Sequence, residues 1–206
     1  AASGIPTILG ALLGYLLGCS SMALYISKCK KVDIRAHGSG NLGTSNAAIV
    51  LGWGPAIAVG AHDIGKGALA VWLASVLFPN VPFVGALAGV ACVFGHNYPF
   101  YLRFKGGKGF AAFVGMMLML NWKMGLVILA AVVLITLVTD YLVLGTFTAI
   151  AAVPVLQGIE NRSMILFLIL LAGSGIILWQ HRENITRLRN GTEIGLRSTA
   201  KGEHKV

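Results

Sequence analysis

IPTILGALLGYLLGCSSMALYIS, residues 5–27, decides the fold class: an apolar run of bilayer length, followed at once by Lys28, Lys30, Lys31 and Arg35. A helix needs about 20 apolar residues to cross the hydrocarbon core of a membrane. Lys and Arg gather on the cytoplasmic side of such spans, so this one is expected to run inward from an outside N-terminus. No basic segment precedes it, which favours a retained span over a cleaved signal. The 206 residues are 56% hydrophobic and 11% charged, against roughly 25% charged in an ordinary soluble domain. The 27 glycines fit the same class, since Gly is commoner in membrane helices. A net charge of +9 then reports topology and contact with anionic headgroups, and weighs against a nucleic-acid partner. Cys19, Cys29 and Cys92 lie far apart with no C-x-x-C pair, and read as apolar filler rather than disulfide or zinc ligands.

Outward from that stretch, residues 47–78 are too long for one plain span and are interrupted by His62-Asp-Ile-Gly-Lys66-Gly67. Charged or irregular backbone survives at membrane depth only under cover, so a broken or re-entrant helix is expected, with its break at 62–67. Apolar segments 83–97, 110–120, 125–138, 142–156 and 164–179 follow, and a basic tail begins at His181. The expectation is an all-α polytopic membrane protein with about seven transmembrane helices, some short or broken. Its N-terminus is outside and its C-terminus cytoplasmic. Residues 1–180 form a single transmembrane helical domain, and 181–206 a basic cytoplasmic segment that includes Arg197, Lys201 and Lys205. In this topology every Lys and Arg except Lys123 and Arg162 falls inside.

Polar residues concentrate in segments 35–46, 62–67, 95–109, 139–146 and 181–184, all on the cytoplasmic side. One cytoplasmic-facing site built from several helix ends follows. Segment 95–109, GHNYPFYLRFKGGKG, sets Arg103, Lys105 and Lys108 among Gly106, Gly107 and Gly109, directly before an apolar helix. Bare amides, cations and a helix N-terminus together favour a phosphate or carboxylate. A basic loop touching lipid headgroups is the plainer alternative. It is not a Walker A loop, because Leu102 stands where the first glycine belongs. Segment 38–43 satisfies G-x-G-x-x-G literally, but a membrane helix precedes it where a dinucleotide fold needs a strand. Gly38, Ser39, Gly40, Asn41 and Asn46 instead make either a donor-rich anion nest or a polar turn in which Ser45 or Asn46 caps a helix. Asp63 and Lys66, three apart, can neutralise each other inside the membrane, with His62 incidental. His181 and Asn184 share one helix face. The histidine reads as a general base, as a phosphate or hydroxyl ligand, or as an interfacial side chain. His96 reads as a helix end with a local hydrogen bond; Thr146 offers a hydroxyl or bonds back to its own helix.

Gly38-Ser-Gly-Asn-Leu-Gly43 with Asn46, Asp63-Ile-Gly-Lys-Gly67, Gly95-His with Tyr98-Pro99, Lys105-Gly-Gly-Lys-Gly109 and His181-Arg-Glu-Asn184 occur in that order. Together they resemble the bacterial acyl-phosphate-dependent glycerol-3-phosphate acyltransferases, the PlsY family, over essentially the whole chain. The resemblance implies a multi-pass enzyme of the bacterial inner membrane. It would move a fatty acyl group from acyl phosphate to the 1-hydroxyl of glycerol 3-phosphate, giving lysophosphatidic acid and phosphate. It further implies Ser39, Lys108, His181 and Asn184 as catalytic residues. Gly38, Gly40, Asn41, Asn46, Lys66, Lys105, Gly106, Gly107, Gly109 and Thr146 would bind substrate, and Asp63 and His96 would shape the pocket. No metal or organic cofactor is implied, and a monomer in the lipid bilayer is expected.

The residue types agree with that chemistry. An acyl phosphate is already activated, so holding two anionic substrates side by side can supply most of the rate. Whether His181 or a substrate phosphate takes the hydroxyl proton is open from the sequence; the resemblance favours the phosphate. No histidine is followed by Asp at the His-x-x-x-x-Asp spacing of soluble-donor acyltransferases. One departure bears on function: the family usually carries an arginine three residues after the position of Asn46, and this chain has Ile49. That loss removes a bidentate phosphate contact, which Arg35 or Lys105 could replace. Two other readings remain at this point: a transporter for a phosphorylated metabolite, and a family member that binds without catalysing.

Overall fold

The computed structural model describes residues 4–201, with the side chain of Lys201 excluded; Ala1 and Lys205 therefore lie outside the described residues. Its helices are α1 (Gly4–Cys19), α2 (Met22–Cys29), α3 (Thr44–Leu51), α4 (Trp53–Leu77), α5 (Val84–Asn97), α6 (Phe110–Leu120), α7 (Trp122–Thr139), α8 (Leu142–Glu160), α9 (Met164–Gln180), α10 (Arg182–Arg189) and α11 (Leu196–Lys201), with no strand among the described residues. By length and composition alone, Gly4–Cys29, α7 and α8 can each cross a membrane; α9 joins them if taken with α10, across a bend of 52°.

Glycines set how closely the first helices pack. Gly10, Gly14 and Gly18, one turn apart on α1, meet Val84, Ala88 and Cys92 of α5 in the same direction, so the two helices run parallel. A methyl group at Gly14 or Gly18 would overlap the backbone of Ala88 or Cys92, the small-residue contact typical of membrane helices. Lys66 and Val71 of α4 face His96 and Gly85 of α5, so α4 runs the opposite way. Loop 98–109 then reverses α5 into α6, and short connections reverse α6 into α7, α7 into α8 and α8 into α9. Phe113, Met116, Met117, Leu170 and Ile177 fill the core between them. Loop 33–43, loop 98–109, the α7–α8 turn and the chain after α9 consequently gather at one end.

Two sequence expectations change. The run at 5–27 is not one helix: it breaks at Ser20–Ser21, where Ser21 caps α2 by accepting a hydrogen bond from the Leu24 amide (3.3 Å). The break frees carbonyls, which Tyr101 Oη (2.6 Å, to Cys19) and Lys66 Nζ (2.7 Å, to Ser20) then satisfy. Residues 62–67 do not interrupt a helix either. The chain breaks instead at Gly52 (φ 91°), and α4 continues through the polar segment. It can do so because Asp63 and Lys66 pair at 2.8 Å. The ammonium also donates to His96 Nδ1 (2.7 Å), so its three protons are all taken and no charge needs water.

Candidate active site

Buried Asn46 organises the glycine loop. Its Oδ1 accepts from the Ser39 amide (2.8 Å), and its Nδ2 donates to the carbonyls of Ile34 (3.0 Å), Asn41 (3.0 Å) and His37 (3.3 Å). Both ends of the amide are thus spent on the loop, so Asn46 builds the nest rather than contacting a ligand. The expected cap at Ser45 or Asn46 is replaced by Gly43, which precedes α3 without a side-chain bond. Gly40 donates its amide to His37 (3.1 Å), and Asn41 Nδ2 donates to Ser39 O and Oγ (3.3 Å each). The amides of Ser39 and Gly40 therefore serve the loop's shape, and Ser39 itself is exposed.

The second loop folds back onto the end of α5. Gly106 and Gly107 donate to the carbonyls of Asn97 (3.0 Å) and His96 (3.1 Å), satisfying acceptors that the helix end leaves open. A Cβ at Gly107 would collide with the His96 ring. His96 accepts at Nδ1 from Lys66, so the buried Asp63–Lys66 pair braces the loop through this ring. Lys66, Gly106 and Gly107, expected as substrate ligands, thus spend these donors within the protein. Thr146 is buried and bonds back to Leu142 O (3.2 Å).

Lys108 and the chain after α9 meet. Lys108 Nζ donates to Asn184 Oδ1, Asn184 Nδ2 donates to Glu193 Oε1, and Arg187 Nε donates to Glu193 Oε2 (2.7 Å). Glu193 was not singled out from the sequence; an acid nine residues after Asn184 in a basic tail was the available signal. His181 is buried at the joint of α9 and α10, its Nδ1 against Ile177 O (2.8 Å). That bond fixes Nδ1 as the donor and leaves Nε2 as the acceptor. Burial pulls His181 down to about 4; the Ile177 bond opposes this, while the charges of Lys108 and Arg187 add to it. The imidazole is therefore neutral at pH 7.

Burial also lowers Lys108 to about 8, helped by Arg187 and opposed by Glu193 and Glu183. If its ammonium binds substrate phosphate, kcat/KM should fall as pH rises through about 8, because free-enzyme groups set that profile. Lys108→Arg should move the limb upward; a profile level to about pH 9.5 would show that this charge is not used.

Three of the polar segments line one cleft of about 720 Å³: Arg35, Gly40 and Asn41 from the first loop, Arg103, Lys105 and Gly106 from the second, and Gln180, Arg182 and Glu183 from the third. Ser39 and His181 adjoin wall residues in the chain, and Lys108 stands two residues after Gly106, without lining the wall themselves. Tyr98, Phe104 and Trp179 are shared with an apolar groove of about 620 Å³ between α5 and α9, completed by Phe94, Ala172, Gly175 and Ile176. A polar, cation-rich cleft thus opens directly into an apolar slot, a shape suited to an anionic head with an alkyl tail.

Residues 8–191 match the family model described as glycerol-3-phosphate acyltransferase. The chain belongs to the glycerol-3-phosphate acyltransferase family. It is 40% identical over 188 residues to the glycerol-3-phosphate acyltransferase of Thermoanaerobacter pseudethanolicus, covering 90% of this chain and 93% of that one. It is 39% identical over 194 residues to glycerol-3-phosphate acyltransferase 1 of Deinococcus radiodurans, covering 92% and 95%. Among solved structures it is similar to PlsY, an integral membrane glycerol 3-phosphate acyltransferase. The glycerol 3-phosphate form superposes with a TM-score of 0.87 at 29% identity, covering 95% of this chain and 98% of that one. The lysophosphatidic acid form gives 0.83 at 30%, covering 92% and 94%. The family is thus one of multi-pass membrane proteins, in keeping with the apolar helices here.

Proposed function

We propose that the protein transfers a fatty acyl group from acyl phosphate to the 1-hydroxyl of glycerol 3-phosphate. The observation that carries this is the cationic cleft continuing into an apolar groove, beside the Lys108–Asn184 pair. The phosphates sit among the loop cations, and the acyl chain lies along Phe94, Ala172 and Ile176. The glycerol oxygen attacks the acyl carbonyl, the new ester C–O bond forms, and the bond to phosphate breaks. Lys108 stabilises charge on the departing phosphate, while neutral His181 accepts a hydrogen bond from the hydroxyl at Nε2. With its pKa held near 4, His181 is a weaker base than a phosphate dianion, whose second pKa is about 6. The proton accordingly leaves on phosphate.

Purified protein given acyl phosphate and glycerol 3-phosphate should release inorganic phosphate and lysophosphatidic acid in equal amounts. Flux across sealed vesicles without turnover would instead indicate a transporter, and binding alone a non-catalytic member. Ile49 packs under the glycine loop near Gly38, and Arg35 and Lys105 line the cleft as replacement cations. Ile49→Arg is expected to lower KM for glycerol 3-phosphate about tenfold if a phosphate contact is missing; an unchanged KM assigns that contact to the cleft cations.

The same reading places about seven spans in the bacterial inner membrane, with the N-terminus outside and the cleft and C-terminus cytoplasmic. The protein acts as a monomer, with residues 1–180 as the membrane domain and 181–206 as the cytoplasmic segment. Exposed Cys29, against buried Cys19 and Cys92, gives the test. An impermeant maleimide should label Cys29 in inside-out vesicles and spare it in right-side-out ones; the reverse pattern inverts the topology.

A further inference from the structure

After α10 the chain does not drift away; it is tied down twice, with Glu193 between the ties. On the near side Thr192 donates its amide to Arg187 O (2.8 Å), just after Gly191 takes φ 66°. On the far side the α7–α8 turn holds it. Asp140 O accepts from the Leu196 amide (2.8 Å), and Asp140 Oδ1 accepts from the Arg197 amide (2.8 Å). Arg197 Nη2 donates to Leu137 O (2.8 Å). Gly195 lies so close to the Asp140 carboxylate that any Cβ there would collide with Oδ2. Asp140 itself sits in the left-handed region at φ 72°, a conformation that Asp and Asn tolerate better than other side chains.

The consequence reaches the site through Asn184. A primary amide has a donor end and an acceptor end, and its neighbours decide which way it faces. Glu193 is acceptor-only when ionised, so it holds the NH₂ end of Asn184 and leaves Oδ1 for the Lys108 ammonium. Should Glu193 leave, the amide can turn its NH₂ toward Lys108, donor against donor. We propose that Asp140 is a positioning residue for acyl transfer: by clamping Gly195–Arg197 to the α7–α8 turn, it keeps Glu193 on Asn184 and so keeps Lys108 aimed. This inference rests on the acyltransferase reading, and the following experiment separates the two.

The full chain is purified with Asp140→Ala, with Gly195→Val, and with Asp140→Asn, whose amide oxygen can still accept from Arg197. The two disruptive changes strike the clamp from opposite sides and should act alike. Each should speed tryptic cleavage in the 187–197 segment and lower kcat about tenfold, the loss expected for one misaligned charged hydrogen bond to the departing phosphate. The alkaline limb of kcat/KM should also move to lower pH. Lys108 faces Arg182, Glu183 and Arg187 on α10, Glu193 beyond it and His181 at the α9 joint; losing the Glu193 carboxylate leaves the surrounding positive charge less opposed. Asp140→Asn should stay within about twofold of the parent on every measure. Faster cleavage with unchanged kcat and pH limb would show that the clamp only tethers the tail and would overturn the proposal. So would an Asp140→Asn protein as impaired as Asp140→Ala, or unaltered cleavage in both disruptive variants. A parent protein that turns over nothing would refute the acyltransferase reading instead, while cleavage rates would still decide whether the clamp exists.

Discussion

Lys108→Ala is expected to lower the rate of phosphate release by about 10²–10³-fold at saturating acyl phosphate and glycerol 3-phosphate, the usual loss when one preorganised donor to a developing charge is removed. The fold should survive the change. Glu193, which partners Asn184 beneath Lys108, keeps its bond to Arg187, so no buried charge is stranded. The thermal midpoint should therefore move little while turnover collapses. Near-normal turnover in the alanine variant would remove Lys108 from the chemistry and, with it, the main reason for siting the reaction at this cleft. Lys108→Arg separates charge from shape: it keeps a cation but exchanges a point charge for a planar fork, so partial activity is expected.

Asp63→Ala should do the opposite, striking the fold first. Asp63 and Lys66 are both almost fully buried within the bundle. Removing the carboxylate leaves an ammonium with only the Ser20 carbonyl and His96 Nδ1 as partners. Breaking a buried pair from one side typically costs about 3–5 kcal/mol, because the remaining charge is uncompensated. Unfolding followed in detergent micelles should show this as a large drop in midpoint. Asp63→Leu combined with Lys66→Met should recover most of it, since replacing both partners removes the stranded charge. Residual activity in that double variant then reports the brace itself, because His96 would have lost its hydrogen bond from Lys66 while still backing Gly107. A single Asp63→Ala variant as stable as the parent would mean that the pair contributes nothing to holding α4, α5 and the Ser20 break together.

The two predictions separate a group that acts on substrate from a group that holds the frame, a distinction invisible in the linear sequence. Lys66 and Lys108 are both lysines beside glycines in polar segments. Beyond Asp63 at i−3, Lys66 meets its other two partners 30 and 46 residues away, and Lys108 meets Asn184 across 76. Spacing along the chain carries no trace of those distances. For the same reason Asn46 reads as a ligand or a cap from its neighbours, yet the structure spends both ends of its amide on the loop behind it. Glu193 and Asp140 look like minor acids until the tail folds back onto the α7–α8 turn.

Local physics nonetheless reached far. Hydropathy alone delimits α6 at 110–120, and it places α5 and α9 within a residue of their observed ends, because burial in an apolar medium is decided over one span at a time. Glycine and lysine patterns likewise pick out the loops that come to line the cleft, since the capacity to offer amides and cations is a property of the residues themselves. The breaks were decided otherwise. Whether α4 stops at His62–Gly67 depends on whether Asp63 finds Lys66 and His96 at the depth where water is excluded. Whether residues 5–27 form one helix depends on whether Tyr101 and Lys66 arrive to take the carbonyls left open at Cys19 and Ser20. The chain specifies which groups need partners, but only tertiary packing supplies them, because a buried charge or carbonyl is stable or costly according to what lies within about 3 Å of it in space.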